Sequence, residues 1–188
     1  MSDPTFDHVL RTRRTTRAYR PDPVPEALLQ ELVDLAILAP TAMNAQPWRF
    51  SIVTNKAVLQ EVNAKVKGFL LASEAPAFAR YRAMFESPTF DIFWGAPALI
   101  VVQAPAGNQV AAIDCLLATE NLILATHARG LGSCYMGFLV MGRGIEGVGA
   151  ALGLAAGYEI IAPIVVGYSD AIPQTPPERN PAQITWVR

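Results

Sequence analysis

"VAAIDCLLATENLILATHA", residues 110–128, is a helix-length stretch that is apolar nearly all the way round, with Asp114, Glu120 and Asn121 as its main polar interruptions. A helix on the surface of a globule keeps one polar face, and this one keeps almost none, so it belongs at the centre of something. The chain has 188 residues, of which 52% are hydrophobic and 16% charged. That is more apolar material than a small monomer easily hides, and a subunit interface would supply the missing cover.

Working outward from this helix, "APALIVVQA" (96–104) reads as a buried strand before it. "GSCYMGFLV" (132–140) and "YEIIAPIVVGYS" (158–169) read as two strands after it, separated by a Gly-rich helix near 143–153. Further upstream, "WRFSIVTN" (48–55) alternates as a strand and "KAVLQEVNAKVKGFLLA" (56–72) as a helix. Pro21, Pro23 and Pro25 break the chain before a helix expected over 25–39, whose Leu28, Leu29, Leu32, Leu35, Ala36 and Ala39 recur at helical spacing until Pro40 stops it. Asp3 and Pro4 signal the start of a short first helix with Phe6, Val9 and Leu10 on one face. Residues 73–94 are irregular and rich in aromatics, the composition of a lid or pocket wall. The Pro-rich tail 170–188 reads as an extended arm. Nothing divides the chain into two domains.

Several function classes drop out. A net charge of −1 lacks the domain-wide basic footprint of nucleic-acid binding. Arg13-Arg14 is followed by "TTRAYRPDPVPE", not by the apolar stretch of an export signal, and prolines and polar residues interrupt the long uncharged run at 95–113, so no membrane span is expected. Cys115 and Cys134 lack metal or disulfide spacing, and His8 and His127 lack a second His at ligand spacing, so a metal site is not indicated and the cysteines read as reduced, cytoplasmic thiols. "GRGIEG" (142–147) matches GxGxxG, but too little sequence follows to complete a doubly wound sheet.

Two further blocks carry the chemistry. Five of the fifteen Lys and Arg residues fall within 11–25, where Arg13, Arg14, Thr15 and Arg17 combine guanidinium forks with a hydroxyl, a set suited to gripping a phosphate monoester. "APTAMNAQPWRF" (39–50) then places a small polar turn between helix and strand, able to aim polar groups at a flat heterocycle.

Together these blocks, followed in order by "GAPALIVV", "DCLLATENLILATHARGLGSCYMGF" and "EIIAPIVVGYSDAIPQTPPER", resemble the nitroreductase family over nearly the whole chain. The resemblance implies an α+β fold, a central mixed β-sheet surrounded by helices, in an intertwined homodimer. Residues 1–169 would form the cofactor domain and 170–188 an arm packed on the partner. It implies FMN as cofactor, NADH or NADPH as reductant, and a small acceptor such as a nitroaromatic or quinone served by a ping-pong mechanism. No nucleic acid, membrane or metal would take part, and no side chain need act as acid or base. Arg13, Thr15, the adjacent Arg14 and Arg179 of "PPERNP" match the phosphate grip, and Arg17 matches the basic residue near the flavin's pyrimidine edge. Pro40, Thr41, Ala42 and Asn44 match the turn contributed across the dimer. Cys134, Tyr135, Met136 and Gly137 match the strand end beside flavin N5. Phe85, Phe90, Phe93 and Trp94 are candidates to line the acceptor pocket. The same fold also admits reductive dehalogenation, flavin breakdown or a non-catalytic flavin-binding or redox-sensing role.

Overall fold

The computed structural model describes residues 5–173 and 175–188; the expected Asp3-Pro4 helix start lies outside them. The first helix, α1 (Phe6–Thr12), is capped by Thr5, whose side chain accepts from His8 N. It is followed by α2 (Glu26–Ala36), β1 (Arg49–Val53), α3 (Lys56–Ala72), the short α4 (Pro76–Ala79) and α5 (Arg82–Glu86), β2 (Ala98–Pro105) and α6 (Gln109–Ala128). The chain closes with β3 (Gly132–Tyr135), α7 (Gly137–Met141), α8 (Val148–Ala151) and β4 (Tyr158–Gly167). Local chemistry sets the long helices' starts: the Asn55 side chain accepts from Ala57 and Val58 N, and that of Asn108 from Ala111 N.

The strands form one sheet in the order β1-β2-β4-β3. Every strand pair is antiparallel, and the parallel component expected of a mixed sheet is reduced to a bridge between Thr15 and Ser133. Because side chains alternate across a strand, the sheet feeds two cores. Ala98, Ile100, Val102 and Ala104 pack with Leu29 and Leu32 of α2 and Cys115 and Leu122 of α6. Leu99 and Val101 face the opposite way, onto Val62 and Val66 of α3, Phe85 of α5 and Leu139 of α7. Between the layers, buried Gln103 donates to Ser51 Oγ and the Gly153 carbonyl and accepts from Ala155 N, tying β2 to β1 and to the turn after α8.

One expected strand is shorter than its apolar run. Residues 132–140 pair only as far as Tyr135, after which Gly137–Met141 turns into α7. "FLVM" is apolar at either period; as a helix it buries Leu139 in the core on the α3 side of the sheet, packs Phe138 against that core and leaves Met141 exposed. The glycine motif at 142–147 therefore follows a helix and not a strand.

The central helix is apolar on two sides for two reasons. Ala111, Cys115, Ala118, Leu122 and Ala125 are buried within the fold, whereas Val110, Ile113, Leu116 and Leu117 remain 44–58% exposed. By length and composition α6 also meets the requirement for a bilayer span, which corrects the expectation that no segment does; it packs against β2, β4 and α2. Leu38, Met43 and the tail residues Ile184, Trp186 and Val187 are exposed as well. Residues 170–173 and 175–188 contain no regular element.

Candidate functional site

The basic run leaves α1 and is stitched to the edge of the sheet. Arg13 N caps α1 on Val9 O, Thr16 N donates to Ser133 O at 3.0 Å, and the Tyr19 hydroxyl donates to Thr16 O at 2.8 Å. This path sets Arg13, Arg14, Thr15 and Arg17 around a cavity of about 340 Å³, closed by Pro173, Thr175, Pro177 and Arg179 of the tail. Residues far apart in sequence thus meet in one basic pocket.

The pocket is short of negative charge. Among the described residues no carboxylate lies within ion-pair distance of its four guanidiniums. Arg14 spends one terminal nitrogen on Arg11 O and Arg13 O, both at 2.8 Å, while its Nε is buried without a partner. A buried cationic N–H left unpaired is costly, so the donor set suits a multiply charged anion such as a phosphate monoester.

Arg17 also lines a second cavity of about 330 Å³, with Cys134, Tyr135, Met136 and Gly137 at the end of β3 and Ala77, Phe78, Arg80, Tyr81, Ile92, Trp94, Phe138 and Met141 around it. Arg17 is the residue common to the two cavities. Burial pushes the Cys134 thiol up in pKa, against the opposing pull of Arg17. Burial, reinforced by Cys134, does the same to the Tyr19 phenol, which Arg17 also opposes. Both groups are neutral at physiological pH, so neither cancels the positive charge of Arg17. A raised thiol pKa also makes Cys134 a poor nucleophile. Met136 N is committed to Pro163 O at 2.8 Å, whereas Gly137 opens α7, where leading amides have no partner inside the helix. The donor available at this strand end is therefore on the Gly137 side.

Of the four aromatic candidates, Trp94 alone lines this second cavity. Phe85 and Phe93 are 1% exposed and belong to the α3 core. Phe90 and Phe93 instead border a different cavity, of about 640 Å³, between the start of α2, α3 and residues 88–97. The inward turn of Phe93 has a local cause. Asp91 caps its own turn, its carboxylate accepting from Phe93 N and Gly95 N at 2.9 Å, and this holds Trp94 at φ +59° while Phe93 turns inward. A left-handed conformation costs a bulky residue about 1–2 kcal/mol, here in a residue that walls the cavity. Its ring meets Phe90 edge-on at 5.2 Å.

The turn at 40–46 lines none of these cavities within its own chain. Met43, Asn44 and Gln46 all have positive φ, and both carboxylate oxygens of Asp114, 5% exposed, accept from Ala42 N at 3.2 and 3.3 Å. Thr41 Oγ accepts from Gln46 N, and Gln46 donates to Asn44 Oδ1. Pro40, Ala42 and Asn44 are exposed. The turn is thus held in an unusual shape, offered outward beside the exposed face of α6.

A family model described as the nitroreductase family matches residues 10–168. The chain belongs to the nitroreductase family. This nitroreductase-family chain is similar to an FMN-bound nitroreductase from Bacteroides fragilis, with a TM-score of 0.84, 26% identity and coverage of 96% of this chain and 97% of that one. It is 31% identical over 173 residues to an NADH dehydrogenase from Thermus thermophilus, covering 83% of this chain and 82% of that relative. A Methanothermobacter thermautotrophicus protein assigned as an NADH dehydrogenase or NAD(P)H nitroreductase is 28% identical over 143 residues; the match spans 74% of this chain and 64% of that relative's length.

Sequence reasoning placed a pocket wall within 73–94 but did not single out four of the residues that form it. Ala77, Phe78, Arg80 and Tyr81 come from α4 and the turn after it, inside the stretch read as irregular. Pro76 at the start of α4 was the available signal. Asp114 was visible only as an interruption of an apolar helix, and its partner at Ala42 is distant in sequence.

Proposed function

We propose that this protein is a homodimeric, FMN-dependent oxidoreductase that passes reducing equivalents from NADH or NADPH to a small acceptor such as a nitroaromatic or quinone, by a ping-pong sequence. The observation that carries this reading is the junction at Arg17, where a basic, anion-deficient pocket opens beside an aromatic-walled cavity at the end of β3. When bound, FMN supplies a ring able to take a hydride at N5 and pass it on.

The chain's own residues would then bind and orient. Arg13, Arg14, Thr15 and Arg179 hold the phosphate by charge-assisted hydrogen bonds, satisfying the orphaned Arg14 Nε. Arg17 places a fixed positive charge against the ring's pyrimidine edge, stabilising negative charge that develops there on reduction. The Gly137 end of β3 offers a backbone donor toward the ring, and Trp94, Tyr81 and Phe78 exclude water and give a flat acceptor surfaces to stack on. Pro40, Thr41, Ala42 and Asn44 reach a cofactor held by the partner, which accounts for a strained turn that serves no cavity of its own chain. The exposed apolar face of α6 forms the dimer contact, and the arm 170–188 docks its exposed Ile184, Trp186 and Val187 on the partner. With both cysteines free thiols, we place the protein in the cytoplasm.

The test is the visible spectrum of the purified protein without oxygen. A flavin spectrum that bleaches on adding NADH or NADPH and returns with menadione or a nitroaromatic supports the reading. A protein that stays colourless after incubation with FMN overturns it. Bound flavin that neither nicotinamide bleaches retains the cofactor assignment and removes the reductase one.

A further inference from the structure

His127 lies in the last turn of α6 and plays no part in the function proposed above. Its Nε2 is 2.8 Å from Thr12 Oγ, at the end of α1. The Thr12 hydroxyl has one proton and spends it on His8 O at 2.6 Å, so it can only accept from the imidazole. His127 is thereby fixed with its proton on Nε2, and α6 holds the residue from which the arginine run departs. Arg13, the next residue, caps α1, so the direction in which Arg13, Arg14 and Thr15 leave depends on this anchor.

The surroundings of His127 are cationic. After burial, which disfavours its charged form, the groups that lower its proton affinity are Arg13, His8 and Arg14, from α1 and the run that follows. Two of these three line the basic cavity. An anion seated between Arg13 and Arg14 would relieve the repulsion that His127 feels. Linkage makes the effect reciprocal: whatever anion binding does for the proton, the proton does for anion binding.

We propose that His127 is a positioning residue for the anion cavity: it holds Thr12 and so aims the outgoing arginines, and its protonation is coupled to occupation of that cavity by a phosphate group. The assignment of the group to FMN rests on the function proposed above, but the coupling itself requires only a phosphate.

The chain has two histidines, His8 and His127, so the imidazole Cε1–H signals can be followed by NMR and assigned with His8→Gln. The midpoint of His127 should sit below the ordinary value of about 6.5 in flavin-free protein and in the riboflavin complex. It should rise by about one unit with FMN, equivalent to about tenfold tighter FMN binding by the protonated form. Inorganic phosphate, added to flavin-free protein, should move it the same way. His127→Leu should weaken FMN about tenfold and riboflavin less than twofold, and His127→Gln, whose amide can still donate to Thr12, should recover most of the loss. A midpoint that neither FMN nor phosphate moves overturns the coupling. Equal weakening of FMN and riboflavin in His127→Leu, or none at all, overturns the positioning role. If phosphate moves the midpoint while neither flavin binds, the coupling stands and the cofactor reading falls.

Discussion

Arg13→Gln separates a phosphate grip from a general basic surface. The substitution keeps the backbone N–H that caps α1 on Val9 O, and it leaves Arg14, Arg17 and Arg179 in the pocket. One guanidinium of four is removed, so binding should weaken and not vanish. A hydrogen bond to a charged group contributes about 1.5–3 kcal/mol, which at about 1.4 kcal/mol per decade is a ten- to hundredfold loss. Arg13 is half-buried, and solvent screening places the loss toward the lower end in physiological salt and higher as salt is removed. The assay is quenching of flavin fluorescence on titration into flavin-free protein, run with FMN and with riboflavin at two salt concentrations. The expected result is a tenfold or larger loss for FMN, with riboflavin changed less than twofold and the wild-type salt dependence reduced. Equal losses for both flavins, or an FMN affinity within twofold of wild type, would refute the phosphate assignment.

Three further outcomes follow from the geometry. Leu117→Glu, on the exposed face of α6, should give a monomer by sedimentation that retains its helical content and binds FMN at least tenfold more weakly; a dimer that keeps its flavin would remove this face from the interface. Trp94→Gly should open the aromatic wall, so KM for a nitroaromatic should rise several-fold, and the unfolding midpoint should fall because the packing lost against Phe90 and the core outweighs the relief of a left-handed cost of about 1 kcal/mol; unchanged KM would take Trp94 out of the acceptor surface. Cys115 is buried, and burial raises its thiol to about 11. The unfolded thiol ionises near 9 while the folded one stays protonated, so its contribution is intact below pH 9 and is lost as pH rises toward 11, by about 2.7 kcal/mol from the two-unit difference. Urea melts between pH 8 and pH 11 should show a shallower decline in Cys115→Ala, and an identical slope in both proteins would contradict the assignment.

The elements legible from sequence were those with a long, unbroken helical pattern. Residues 56–72 mark α3 from end to end and 110–128 mark α6 to within a residue of its start, while the caps at Asn55 and Asn108 emerge only in the structure. The α2 pattern ran to Ala39, but the helix ends at Ala36, with Ile37 to Ala39 closing in turns. Where an apolar run fits both periods, as in 132–140, tertiary packing, here of Leu139 into the core and of α7 onto β4, decides between strand and helix. The arginine run was legible as a cluster whose chemistry suits an anion, though composition alone reads equally as a solvated basic patch; the structure gathers Arg13, Arg14, Thr15 and Arg17 around one cavity. Its meeting with Arg179 was implied by resemblance, since nothing local brings a tail residue back to the first helix. The aromatic wall was legible as a stretch, 73–94, but not residue by residue. Phe85, Phe93 and Trp94 look alike in sequence, yet α5 buries Phe85, and the turn capped by Asp91 sends Phe93 in and leaves Trp94 lining the second cavity.

The bond from Thr16 N to Ser133 O makes the two halves of the proposed site neighbours without asking anything of the chain between them. The gap between the grip on the phosphate and the strand end facing the ring is set by a local clasp at the sheet edge, like the jaw spacing of a calliper. Segments between these two points, including the walls from α4 to Trp94, can lengthen, shorten or change composition without resetting that gap. Such a chain could exchange one acceptor for another by remodelling residues 73–94 alone, its hold on the cofactor kept to gauge by a single pair of backbone atoms.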